Sequence, residues 1–189
     1  MKKELKPATI LHPHPVLVVG SYDQQDKPNM MTASWGGICC SKPPAIMIAL
    51  REATQTYHNI KKHNCFTVNI PSTKHIKEAD YVGIASGKDT DKYRETGLTP
   101  VESNLIHAPY VKEYPYCLEC TLIKEIEIGL HTMFIGEIMG IKADENVLGV
   151  HGTPDIELVD PLIYGSFGNR GYYTIGKRIG DAFKIGGKK

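Results

Sequence analysis

Residues 29–44 read NMMTASWGGICCSKPP and hold the chain's single tryptophan, Trp35, beside Gly36-Gly37, the adjacent pair Cys39-Cys40 and the prolines Pro43-Pro44. The run MMTASW follows VLVVGSY (Val16 to Tyr22) across a charged, turn-forming DQQDKPN, a pattern that predicts two strands of one hairpin. Side chains alternate across a strand, so Thr32 and Ser34 share one face, and Met31 and Ala33 the other. Trp35 closes the strand, and the glycines after it let a ligand or another backbone come close. A half-polar strand ending in an indole suits one wall of a site for a planar heterocycle with polar edges. Core or interface packing accounts for the tryptophan equally well. Adjacent cysteines seldom meet one metal geometry, which leaves Cys39 and Cys40 as packing or pocket-lining residues.

Outward from this stretch the pattern stays mainly β. AIMIALR, after the proline pair, and CFTVNI (Cys65 to Ile70) are continuous apolar runs with flanking breakers, the mark of buried strands. Between them, EATQTYHNIKKHN predicts a surface helix opened by the capping residues Thr54 and Thr56. Arg51 precedes that helix. A helix N-terminus with hydroxyls and a guanidinium suits a phosphate, although capping and a surface arginine explain the same residues without one. STKHIKEADYVGIAS predicts a second helix with Ile76, Ala79, Tyr81, Val82 and Ile84 on its apolar face. The charged loop GKDTDKYRETG offers Lys88 and Lys92 as further countercharge, although a loop lysine is usually just solvated. From Tyr116 two long β runs follow, with LIKEIEI alternating apolar and charged, and His131 closes the first of them. The Gly- and Tyr-rich tail has no clear period. Short strands with helical insertions predict a β-barrel or sandwich in one domain, residues 1–189.

Composition narrows the function. Lys plus Arg total 22 against 21 acidic residues, a net charge of +1, which argues against a nucleic-acid or membrane-surface partner. The N-terminal MKKELKPATILHPHPV lacks a signal-peptide core, and five cysteines cannot all pair within one chain. A reduced, cytoplasmic protein is the expectation. Cys117 and Cys120 form a CxxC, but inside a strand they point to opposite faces, and His12-Pro-His14 has no ligand spacing with them; no metal site is expected. GxGxxG, GxSxG and HExxH are absent, and GIASGKD is one residue short of a P-loop.

Five segments, PNMMTASWGGICCSKPP, ALREATQTYHNI, FTVNIPS, EADYVGIASGKDTDKY and GLHTMFIGEI, occur in the order seen in a known group. From about Val16 to its C-terminus the chain resembles the flavoredoxins, within the flavin-reductase-like FMN-binding split-barrel proteins. The resemblance implies a six-stranded Greek-key split barrel with peripheral helices, a homodimer, and FMN held non-covalently near the subunit interface, with FAD less favoured. It implies that Asn29, Trp35 and the backbone of Met31, Thr32, Ala33 and Ser34 contact the isoalloxazine. Arg51, Thr54, Thr56 and Lys92 would surround the phosphate, Asn69 would lie beside the cofactor, His131 near the ring as added positive charge, and Tyr164 against its exposed part. It implies an oxidoreductase passing electrons from NAD(P)H or a redox protein to an acceptor, with no catalytic side chain. A reductase releasing reduced flavin to a partner, and a flavin-binding module without turnover, are the other readings.

Overall fold

Seven strands make one antiparallel sheet whose two edge strands are joined by only Ser34 and Trp35. The computed structural model describes residues 1–168 and 170–187. In chain order the elements are β1 (His14–Pro15), β2 (Leu17–Tyr22), β3 (Pro28–Ala33), β4 (Gly36–Ser41), β5 (Pro44–Leu50), α1 (Gln55–His63) and β6 (Cys65–Ile70). There follow α2 (Ile76–Ile84), α3 (Lys92–Thr96), β7 (Pro100–Glu102), β8 (Pro109–Val111), β9 (Tyr116–Ile128), β10 (His131–Ala143), α4 (Ile156–Val159), β11 (Ile163–Gly165) and β12 (Gly171–Tyr173). The main sheet runs β3-β2-β6-β9-β10-β5-β4. A two-residue link between its edges is possible only if the sheet curls until those edges meet, since extended chain spans about 3.3–3.6 Å per residue. The seam of the barrel is therefore at Ser34-Trp35, where the Trp35 carbonyl accepts from Ala49 N at 2.8 Å.

Strand β2 shows how the barrel is packed on both sides. Leu17 and Val19 point into the barrel core with Ala33, Ile48, Phe66, Val68, Leu118 and Phe134. Val16 and Val18 face the other way, with Met30, against Ala79 and Val82 of α2 and Tyr93 of α3. Both faces are covered, which is why VLVV is unbroken in apolar residues. Cys120 belongs to the inner core and Cys117 is buried outside it; burial pushes both thiols up to about 12. Both are packing residues.

Helix α1 forms as its ends dictate. Thr54 caps it, its hydroxyl accepting from Tyr57 N at 3.4 Å; Lys61, Lys62 and His63 occupy the last turn, and Asn64 in the left-handed region ends it.

Three sequence expectations are corrected. The resemblance implies six barrel strands, but GGICCS adds a seventh, β4, at the edge, with Cys39 and Cys40 exposed instead of packed. In α2 only Ala79 and Val82 are buried, because the helix rests on β3 along a narrow line; Ile76, Tyr81 and Ile84 are exposed. LIKEIEI is not cleanly two-faced, since Ile123 and Ile128 lie in the solvent-facing half of the long β9–β10 hairpin. In the tail, where the sequence shows no clear period, β11 and β12 join β1 in a three-stranded sheet that pairs Tyr164 with His14 and Tyr172.

Candidate functional site

The N-terminal end of α1 and the start of β3 meet through one buried hydrogen bond, Asn29 Nδ2 to Thr56 Oγ1 at 3.0 Å. Thr56 accepts there, and its own hydroxyl proton has no acceptor among the described residues, leaving one donor to give. Thr54 is engaged as the cap, donating to the Arg51 carbonyl at 2.8 Å. Behind them a buried chain holds the helix in place: Gln55 Nε2 donates to Asn59 Oδ1 at 2.8 Å, and Asn59 Nδ2 to Ser21 Oγ at 3.0 Å. The loop after α2 closes over Asn29, and a Cβ at Gly87 would collide with Asn29 Oδ1.

Lys92, at the start of α3, is only 3% exposed, and its ammonium has one partner, the Val82 carbonyl at 2.9 Å. No carboxylate among the described residues pairs with it, and burial pulls it down to about 8. An ammonium left buried with one neutral acceptor is costly unless an anion completes the site. Helices α1 and α3 both pack on β3. A cavity of about 430 Å³, lined by Asn29, Gly87, Lys88, Thr90 and Asp91 among others, opens beside them.

At the other end of β3 the Trp35 and His131 rings lie 4.6 Å apart, tilted by 42°. Burial, and then the charge of Arg51, hold His131 below its ordinary value, which disfavours the added positive charge expected of it. Arg51 is a cation at this end. A second opening of about 410 Å³ runs between residues 8–11, His14, Ser34, Trp35 and Gly36. Gly36 serves another backbone: a Cβ there would stand 2.8 Å from the Met47 carbonyl of β5, whereas Gly37 faces open space.

A polar, cation-bearing pocket and an aromatic pocket thus flank one strand of a curled sheet. The family model for the flavin reductase like domain matches residues 10–175. The chain belongs to the flavin reductase-like family. It is 47% identical to a flavoredoxin of Desulfovibrio vulgaris (Miyazaki F), over 99% of this chain and 100% of that one, with a TM-score of 0.94. A flavoredoxin from Methanosarcina acetivorans is 29% identical over 98% of each chain, with a TM-score of 0.91. A Shewanella frigidimarina protein with a split barrel domain shares the fold at 24% identity and a TM-score of 0.82, over 91% of this chain and 87% of that one. The mainly β architecture is the split barrel, and membership of the flavin reductase-like family supports a flavin-binding redox function.

Within this flavin reductase-like barrel the expected residues do not all meet. Asn29, Thr54 and Thr56 stand where α1 meets β3, Lys92 lies on α3 against the Val82 carbonyl, and Ser34, Trp35, Arg51 and His131 lie around the seam. Asn29, expected at the ring, thus falls with the residues expected at the phosphate, and Arg51, expected at the phosphate, with those expected at the ring. Met31 and Ala33 pack toward the barrel core, while Thr32 faces the other way and donates to the Ala79 carbonyl of α2 at 2.5 Å. Tyr164 is set apart on the small sheet, 6.5 Å from the His14 ring, beside a third cavity of about 370 Å³. Asn69 is fully buried and spent within the fold: Nδ2 donates to the Val18 carbonyl and Thr67 Oγ1, and Oδ1 accepts from Val111 N at 2.8 Å. Three residues of the site are not marked in the sequence, namely Gly87 and the Ser21–Asn59 pair that supports α1. The only trace of the first is a glycine before Lys88 in SGKD, and nothing marks the pair.

Proposed function

We propose that residues 1–189 form one FMN-binding oxidoreductase domain that passes electrons between a reduced donor, NAD(P)H or a redox protein, and an acceptor. The observation that carries this reading is Lys92, a buried cation with no carboxylate partner among the described residues, on a helix that packs, like α1, on β3. Its ammonium, the Thr56 hydroxyl and the free N–H groups of α1 form a donor set for a phosphate dianion. Bound FMN supplies the redox chemistry. The chain binds, orients and screens it: the β3 backbone from Met31 to Ser34 offers amides to the ring edge, and Trp35 with His131 forms an aromatic wall. Arg51 supplies positive charge at that end, and Tyr164 covers the exposed part. FMN is favoured over FAD because the donor set is built for a terminal phosphate.

Large apolar side chains on the β9–β10 hairpin, Ile123, Ile128, Leu130, Met139 and Ile141, are exposed in the single chain. A surface of this kind supports a homodimer; sedimentation at twice 21.0 kDa is the expected result. All five cysteines are free, which supports a cytoplasmic setting.

The binding test compares FMN with riboflavin, which lacks the phosphate. Lys92→Met or Thr56→Val is expected to weaken FMN by about tenfold or more and leave riboflavin unchanged, since charge-assisted hydrogen bonds are worth roughly 1.5–3 kcal/mol. Equal affinity of the unaltered protein for the two ligands overturns the assignment.

A further inference from the structure

Outside the lining of both pockets, three side chains from separate segments converge on one point. Asp26 lies in the β2–β3 turn, His63 in the last turn of α1, and His107 in the loop before β8. One ligand atom from each lies within 4.8 Å of the other two, and His107 Nε2 stands 3.1 Å from Asp26 Oδ1. Four-coordinate zinc with N and O bonds of about 2.0–2.1 Å sets neighbouring ligand atoms roughly 3.3–3.5 Å apart. The observed separations bracket that spacing, so closing on a metal asks for side-chain movements of about 1 Å.

The support around the three residues is more ordered than a chance surface pair needs. The Asp23 carbonyl is 3.0 Å from His63 Nε2, and Tyr22 lies against the His107 ring with centroids 4.8 Å apart. Asp23 Oδ1 accepts from Gln25 N at 2.7 Å and Lys27 N at 2.9 Å, which fixes the turn that presents Asp26. Such outer contacts are what orient metal ligands. The nearby ammonium of Lys62 is occupied by the Gln24 carbonyl at 3.0 Å.

The geometry points to a metal site made by Asp26, His63 and His107 for a borderline divalent ion of the zinc type, with water in the open position. Two imidazoles and a carboxylate suit zinc, whereas magnesium and calcium prefer all-oxygen shells. The ion would tie the turn, the end of α1 and the loop before β8 together. Helix α1 separates His63 from Thr56 by about 1.5 Å per residue, and none of the three ligands lines the cavity beside Asn29, although Asp23, Gln25 and Lys27 of the same turn do.

The test uses the full, tag-free chain, dialysed against chelator and titrated with Zn²⁺ against a fluorescent zinc indicator. One Zn²⁺ per chain, bound at micromolar concentration or tighter, is expected. His63→Asn, His107→Asn and Asp26→Asn should each weaken it at least tenfold with unchanged FMN content. A variant carrying Cys39→Ser and Cys40→Ser, which removes the exposed thiols, should bind zinc as before. Absence of saturable binding, or binding lost in the cysteine variant and kept in the histidine variants, overturns the site and leaves His107 and Asp26 as a surface ion pair.

Discussion

Asn29 and Thr56, 27 residues apart in the chain, are joined by a buried 3.0 Å hydrogen bond that fixes the start of α1 against β3. The bond does two things at once. It aligns the helix N-terminus with the strand, and by using Thr56 as acceptor it leaves that hydroxyl's proton for a ligand. Asn29→Ala is expected to cost about 1–3 kcal/mol, because a buried acceptor loses its partner. Urea unfolding of the flavin-free protein should show a lower midpoint with unchanged slope, and FMN titration a weaker affinity than the stability loss alone explains. Loss of stability with full FMN affinity would separate the strand–helix tie from the site.

Lys92 gives flavin binding a pH signature. Burial holds its folded value at about 8, below the roughly 10.4 of an exposed lysine. Between those values the unfolded chain binds more protons than the folded one, so stability of the flavin-free protein rises with pH across that window. Ligand binding moves the opposite way. A phosphate dianion selects the protonated ammonium, so FMN affinity is expected to be independent of this group below pH 8 and to fall above it, approaching tenfold per unit. Riboflavin affinity should show no such fall, and Lys92→Met should remove it for FMN. Parallel pH titrations of the two ligands by flavin fluorescence decide the matter.

Asn69 separates architecture from site. Its amide joins β6 to β2 through the Val18 carbonyl and to β8 through Val111 N, with nothing left over. Asn69→Leu is expected to destabilise the fold by about 2–4 kcal/mol, since two backbone groups lose buried partners together. FMN affinity of the molecules that remain folded should be unchanged. A selective loss of FMN affinity with normal thermal stability would return Asn69 to the cofactor.

How much of this was legible in the sequence depended on whether one segment carried its own signal. VLVV and AIMIAL are apolar without interruption and CFTVNI is broken only by the buried Thr67 and Asn69, because the curled sheet is covered on both faces there, and all are legible as strands. Helix α1 is legible through its capping residue Thr54. Strand β4 did not, since GGICCS lies half-exposed on an edge with neither alternation nor an apolar run. Strands β11 and β12 are three residues each and owe their form to pairing with β1. The Asp26, His63 and His107 cluster was illegible for a simpler reason. Asp26 and His107 are 81 residues apart, and only the packing of the β2–β3 turn beside α1 brings them together. The same holds for Gly87, whose importance lies in what it touches.

Trp35 and His131 supply a spectroscopic test of the seam. Trp35 is the only tryptophan of the chain, so its emission reports this site alone. An imidazolium quenches a neighbouring indole more than a neutral imidazole does, and these rings are 4.6 Å apart. Burial first, and Arg51 second, lower the proton affinity of His131, so the folded chain resists protonation where the unfolded chain accepts it. Stability from this group is therefore present above about pH 6.5 and lost as pH falls toward the folded value. Emission of flavin-free protein should drop on acidification with a midpoint below 6.5. Arg51→Gln removes the repelling charge but not the burial, and should move that midpoint up without restoring it fully. His131→Asn should abolish the transition. Emission independent of pH in the unaltered chain, or a midpoint that ignores Arg51, would mean that the two rings and the guanidinium do not share one pocket.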